Sequence, residues 1–218
     1  MCRMSLLVLA SASPRRMDLL TSAAVPHAVW PVDIDETPEP GEPGERLVLR
    51  LAKSKVAAAK ARCTPFAPIL AADTVVVAKG RVLGKPEHEG AAREMLNLLS
   101  AITHEVLTGY HLRWVDEQEC EQECSRVIST HVMVRSLTDE EIDGYLACEE
   151  WRGKAGGYAI QGRFRAFVRS ISGSYENVVG LPLCAVLEDL KKAKLLPPHW
   201  PDFSTKRNLS RDGASTLL

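Results

Sequence analysis

A chain of 218 residues can bury one large core, or two small lobes sharing a cleft. Its apolar and charged shares, 45% and 25%, exclude wholesale disorder. A net charge of −1 argues against a protein that grips duplex nucleic acid, yet allows local basic clusters on a small anionic ligand. The six cysteines contain no CxxC pair and no zinc-site spacing, and Cys120 and Cys124 alone would not make a tetrahedral site. They read as reduced thiols suited to the cytoplasm.

In chain order, Leu6–Ala10 is an apolar strand, although Arg3 to Ala12 also imitates a short signal peptide ending in A-x-A. The following Ser13-Pro14-Arg15-Arg16 favours the strand: Pro14–Ala24 reads as a helix with Ser13 as N-cap and Pro14 at its first position. A strand is expected at His27–Val32, then an acidic, Pro-rich loop over Asp33–Pro43, and an amphipathic helix over Glu45–Arg62 with its basic residues outward. Pro68–Ala72 and Val75–Ala78 read as strand material interrupted by Asp73-Thr74, with a hairpin turning at Lys79-Gly80 into Arg81–Leu83. A helix at Ala91–Leu99 precedes strands at Glu105–Trp114 and Ser125–Val134, separated by the polar stretch Asp116–Glu123. Thr138–Ala147 opens with a capping box and continues as a helix. Gly153–Tyr175 reads as a long functional loop plus a strand, and Pro182–Leu196 as a closing helix. The expected architecture is α/β, a mixed twisted sheet with flanking helices and two lobes around a central cleft. Residues 1–196 form one domain in this reading, and 197–218 a flexible tail. No window reaches the roughly 20 apolar residues of a membrane span.

Four constellations carry chemistry. Ser11, Ser13, Arg15 and Arg16 stand where a strand enters a helix, and a helix N-terminus with hydroxyls and arginine forks attracts phosphate. The same residues also suit an ordinary cap with solvated arginines. Asp73 interrupts an apolar run, so its carboxylate is a metal ligand, a general base, or a turn residue. Lys55, Lys85 in Gly84-Lys85-Pro86, and Glu36 in the acidic loop are the charged groups able to serve a polyphosphate and a metal, and each reads equally as a surface residue. The Gly-rich stretches GKAGGYAIQG (Gly153–Gly162) and GSYENVVGLPL (Gly173–Leu183) allow close approach to a ligand. Tyr158 could stack on a ring there, and Gln161 could read a base edge.

Seven collinear blocks resemble the Maf family of nucleotide pyrophosphatases: LASASPRR at Leu9–Arg16, the Lys55 helix, AADTVVV, GKP, THEVLTG, KAGGYAIQG and GSYENVVGLPL. The resemblance implies an inosine-triphosphate-pyrophosphatase-like fold. It also implies hydrolysis of a nucleoside triphosphate to the monophosphate and pyrophosphate with Mg²⁺ or Mn²⁺. By position it makes Asp73 the proton acceptor and sets Lys55 and Lys85 beside it. Ser11, Arg16, Glu36, Lys55 and Lys85 match the family's polar cleft residues; Ser11, Ser13 and Arg16 would then hold the phosphates, and Glu36 or Asp73 the metal. Arg15, Thr74 and Gln161 match the specificity positions of the branch acting on dTTP and UTP. The branch acting on 7-methyl-GTP differs at Arg15 and Thr74. Arg163-Phe164-Arg165 departs from relatives, which often carry smaller residues. The resemblance further suggests a cytoplasmic homodimer, with no membrane and no nucleic-acid polymer as partner. A rival reading is a division regulator that binds nucleotide without turning it over; Asp73 beside two lysines speaks against it.

Overall fold

The computed structural model describes residues 6–196 and Trp200. Strand β1 (Leu7–Leu9) is buried throughout, as the apolar run requires, and leads through a short loop into helix α1 (Pro14–Ser22). Ser13 stands at the N-cap position, but its hydroxyl makes no capping bond; instead its own N–H donates to Ser11 Oγ at 3.2 Å. After β2 (His27–Val29) and the acidic loop comes α2 (Gly44–Lys60). Its Leu47, Val48, Leu51, Ala52, Val56 and Ala59 are buried, the periodic stripe expected of an amphipathic helix. Lys55 is buried on that same inward side, contrary to the expectation that the basic residues point outward.

β3 (Ile69–Ala78) organises the rest. The expected interruption at Asp73-Thr74 does not occur. β3 pairs antiparallel with β5 (Thr103–Val115) along almost its whole length, Asp73 opposite Gly109 and Thr74 opposite Thr108. What is interrupted is the apolar stripe on each face. Alternation sends Asp73 to the same side as Ile69, Ala71 and Val75, which pack in the clusters that α2 covers, and Thr74 to the other side. On that second side Leu70 and Ala72 belong to one large apolar cluster and Val76 and Ala78 to another. Thr74 lies at the junction.

The sheet has seven strands in the order β2-β1-β3-β5-β6-β7, where β6 spans Glu121–Val134 and β7 Val168–Ser172, with β4 (Arg81–Leu83) also on β3. β1 pairs parallel with β2 and with Ile69 and Leu70 of β3; the remaining pairs are antiparallel. Both β1 and β4 lie on the edge of β3 opposite β5, β1 at Ile69–Leu70 and β4 at Val76–Ala78. Between them the edge around Asp73 carries no strand, and the sheet opens there.

α3 (Glu89–Leu99), α4 (Asp139–Leu146) and α6 (Leu183–Lys192) cover the sheet. α4 carries the expected capping box: Thr138 accepts from Glu141 N–H, and Glu141 accepts from Thr138 N–H. β6 (Glu121–Val134) starts four residues earlier than expected, because Arg113 and Lys60 both hold Glu121, at 2.6 Å each. Asp116–Cys120 alone forms the turn, with Asp116 Oδ1 accepting from the N–H groups of Gln118 and Cys120. The Gly-rich region resolves into 3-10 turns at Ala155–Gly157 and Arg163–Phe167, strand β7 (Val168–Ser172) and a short helix α5 (Tyr175–Val179) that periodicity did not reveal. The five described cysteines are free thiols, and among the described residues no helix is long and apolar enough to cross a membrane. Of the expected tail only Trp200 is described, its indole N–H donating to Ala23 O at 2.9 Å; the remainder lies outside the described residues.

Gly109 decides how close α2 comes to the sheet. A Cβ there would sit 2.8 Å from the Val48 carbonyl carbon, so the helix backbone itself is in the way. Lys55 lies two turns further along the same helix. Gly109→Ala is therefore expected to lift α2, costing about 2 kcal/mol as overpacking, which urea unfolding checks.

Candidate active site

The opening beside β3 is a cavity of about 390 Å³, within the range of small-ligand sites. Ser11, Ser13, Arg15, Arg16, Glu36, Lys55, Asp73, Thr74, Lys85 and Gln161 all line it. Chain segments from Ser11 to Gln161 thus meet at the gap left between β1 and β4.

On the α2 side the site is an ion-pair ladder. Lys55 Nζ lies 2.6 Å from Asp73 Oδ1 and 2.7 Å from Glu36 Oε1, and Lys85 Nζ lies 2.6 Å from Glu36 Oε2. Lys55 and Asp73 are buried, Lys85 exposed. Partial burial pushes the Glu36 carboxyl up, but the hydrogen bonds and charges of Lys55 and Lys85 outweigh it and hold it down at about 2. Two lysines and two carboxylates balance here.

On the other side the charge is unbalanced. Arg16 is buried; its Nε donates to Gly180 O at 2.7 Å, NH1 to Ser11 Oγ at 3.1 Å and NH2 to Thr74 Oγ1 at 3.2 Å. Three of its five N–H groups are thereby used, leaving one on each terminal nitrogen. Ser11 Oγ accepts from both Arg16 and Ser13 N–H, so its own hydrogen remains for a ligand. Arg15 makes one hydrogen bond, from Nε to Val179 O at 3.2 Å. Burial lowers the pKa of both arginines, and burial together with the Arg15 charge lowers that of Lys154, which also lines the cavity. Arg15, Arg16 and Lys154 form a positively charged cluster next to a neutral ladder. Lys154 was not singled out from the sequence, although it stands in the KAGGYAIQG block.

Tyr158 forms a wall instead of a free platform. Its ring stacks on Phe164 at 4.4 Å, and its hydroxyl is 2.7 Å from His104 Nε2. Phe164, from the segment that departs from relatives, is fully buried and also meets Tyr145 and Phe167 edge-on. Burial depresses His104 to about 4 from its ordinary 6.5. A depressed imidazole is destabilising when protonated, so its contribution is intact above pH 6.5 and fades as pH falls towards 4. The wild type is expected to lose about 3 kcal/mol over that window. Carboxyls held at about 2, such as Glu36, Glu42, Glu121 and Glu141, begin to matter only below their unfolded 4.5. Between pH 6.5 and 4.5 the slope therefore belongs to the histidines. Unfolding curves of His104→Gln, which can still bond the Tyr158 hydroxyl, should be nearly flat there, with a remnant from His111, also lowered by burial.

A family model described as Maf-like protein matches residues 6–193. The chain belongs to the Maf family. Among curated relatives, the dTTP/UTP pyrophosphatase of Geobacter sulfurreducens is 47% identical over 186 residues, 85% of this chain and 95% of that protein. Those of Gluconobacter oxydans and Maricaulis maris are 50% and 51% identical, each covering 81% of this chain and 82% and 83% of the relative. Among solved structures, the nucleoside-triphosphatase (dITP/XTP pyrophosphatase) of Mycobacterium abscessus is 16% identical with a TM-score of 0.32, covering 58% of this chain and 73% of that one. That likeness is too low to carry an argument. The Maf assignment covers both the strand-to-helix anion loop and the Gly-rich segments, so the whole cavity lies within the matched region.

Proposed function

We propose that this Maf protein hydrolyses dTTP and UTP to the monophosphate and pyrophosphate, as a cytoplasmic homodimer of one catalytic domain per chain. One observation carries the reading. The ten residues that the sequence marks, nine of them by the Maf resemblance, converge on a single cavity, in a chain 47–51% identical to dTTP/UTP pyrophosphatases over four fifths of its length.

The triphosphate lies over the N-terminus of α1, where Ser11 O–H, the Ser13 region and the two spare N–H groups of Arg16 meet its oxygens. Asp73 accepts the proton of a water whose oxygen attacks the α-phosphorus, and the bond to the bridging oxygen breaks as pyrophosphate departs. Lys55 and Lys85 stabilise the charge that develops on that leaving group. Arg15 and Gln161 choose the base directly, and Thr74 contributes to that choice through Arg16, whose guanidinium it holds. Glu36 and Asp73 are hard oxygen donors held one ammonium apart, a set that fits Mg²⁺ or Mn²⁺. Such a cation, when bound, polarises the phosphoryl group. Among the described residues no group of three or more His, Cys, Asp or Glu gathers, so Glu36 and Asp73 would share the cation with the substrate's own phosphates.

The test is a panel of canonical and modified triphosphates with Mg²⁺ and Mn²⁺, scored for monophosphate and pyrophosphate. UTP and dTTP are expected to be cleaved in preference to purine triphosphates and to 7-methyl-GTP. If those two survive while others are cleaved, the specificity is wrong; if every triphosphate survives, the enzymatic reading falls.

A further inference from the structure

The motif GSYENVVGLPL is absorbed by the reaction only through two of its carbonyls, yet α5 within it is the structure on which both arginines rest. Val179 O accepts from Arg15 and Gly180 O from Arg16. Gly180 takes φ +129, a conformation other residues rarely adopt, which turns its carbonyl to the guanidinium. At five residues α5 is too short to hold itself in place. Its anchor is Asn177, fully buried, whose Nδ2 donates to Val106 O on β5 at 3.1 Å and to Thr130 Oγ1 on β6 at 3.0 Å. Both side-chain hydrogens are thus used, while Oδ1 has no partner among the described residues. The position requires donors, which a carboxylate lacks.

Thr108, also fully buried, closes the circuit from the other side. Its hydroxyl donates to Asn177 O at 3.0 Å, and a carbonyl can only accept. Thr108 has one hydrogen, so at its 2.9 Å contact with Thr74 it must be the acceptor, and Thr74 the donor. Thr74 then has nothing left to donate, and it accepts from Arg16 NH2. The polarity of the whole chain, from Arg16 to Thr74, Thr108 and the Asn177 carbonyl, is fixed by that last carbonyl. Neither Thr108 nor Asn177 lines the cavity.

We infer that Thr108 and Asn177 are positioning residues for Arg16 and Arg15, and that Thr74 acts on the substrate through the Arg16 guanidinium instead of donating to it. The inference rests on the proposed function for what the arginines meet, the phosphates at Arg16 and the base at Arg15, but not for how they are held. The polyphosphate-binding geometry is set from beneath by a buried chain whose members never meet the ligand.

The experiment compares wild type, Thr108→Val, Thr108→Ser and Thr130→Val as full-length proteins. Steady-state kinetics with UTP, binding of inorganic tripolyphosphate by calorimetry, and melting temperature are read in parallel. Thr108→Val keeps the shape and removes the hydroxyl. It is expected to raise KM and the tripolyphosphate Kd about tenfold, the scale of one lost hydrogen bond to a charged group, with kcat within about twofold. Thr108→Ser keeps the hydroxyl and should stay within about twofold of wild type throughout. Thr130→Val loosens Asn177 without touching a partner of either arginine, and should shift both binding constants the same way, by about threefold; it serves if Thr108→Val fails to fold. Unchanged tripolyphosphate binding in the folded variants, or Thr108→Ser as impaired as Thr108→Val, would overturn the inference. A wild type that binds no tripolyphosphate counts against it equally. A wild type that binds tripolyphosphate but cleaves no nucleotide would sink the proposed function alone, and the binding arm would still decide the positioning.

Discussion

Asp73→Asn is expected to lower kcat on UTP by about a thousandfold while KM moves only a few-fold, the range set by removing a general base without removing its shape. The amide oxygen can still accept from Lys55, whose Nζ lies 2.6 Å from Asp73 Oδ1. Lys55 also keeps Glu36 at 2.7 Å, so no charge is left stranded and unfolding should shift by only about 1–2 kcal/mol. Single-turnover and steady-state rates beside a binding measurement separate the two effects. A nucleotide-binding regulator without turnover would show the same affinity and no activity to lose. Retention of more than about a tenth of the wild-type kcat would remove Asp73 from the chemistry, because general bases contribute at least a hundredfold.

Lys55→Met is the opposite case, with a large effect on both stability and rate. Lys55 is the shared cation of two carboxylates, and its removal leaves buried Asp73 without a hydrogen-bonded cation, Arg16 remaining as a more distant positive charge. Orphaning a buried charge costs about 3–5 kcal/mol, and the lower end applies because the cavity admits water to Asp73. Glu36 keeps Lys85 but loses the first of the two lysines that hold its carboxyl at about 2. The pH dependence follows with a definite sign. In the wild type the two lysines hold Glu36 ionised, so that contribution is fully present above its unfolded 4.5 and is lost as pH falls below it. In the variant Glu36 keeps Lys85 alone, so less of that contribution exists to be lost. The stability gap between variant and wild type should therefore be widest above pH 4.5 and narrow as pH falls below it, where unfolding experiments can read it. Activity at pH 7 is expected to drop about a hundred- to a thousandfold, through misplacement of Asp73 and loss of positive charge at the leaving group. A variant as stable as wild type would mean that the ladder carries no such strain.

Much of this was legible locally. The segment Ser11-Ala12-Ser13-Pro14-Arg15-Arg16 announces an anion site because strand exit, helix entry and donor side chains are encoded within a few residues. The capping box at Thr138 is legible for the same reason. Asp73 drew notice as a polar break, but the inference that it breaks the strand was wrong. A strand alternates its faces, and backbone pairing with β5 continues past a side chain of any polarity. Lys55 was expected outward with its fellow basic residues, since helical periodicity cannot tell a solvated lysine from one aimed at a buried carboxylate elsewhere in the chain. Helix α5 was missed because five residues carry too little period to detect, and its stability comes from Asn177 reaching two other strands.

The sequence by itself determined the family, the α/β class and the list of charged and hydroxyl groups that line the cavity, since all of these are written in short ordered blocks. Only the tertiary structure decided how those groups divide into a neutral ladder and an unbalanced cationic cluster, and which silent residues hold them. Thr74 meets Thr108 across 34 residues and Thr108 meets Asn177 across 69. Hydrogen-bond direction along such a chain is set by one distant carbonyl, and no local pattern can encode a partner brought near by the pairing of β3 with β5 and the docking of α5 on both β5 and β6.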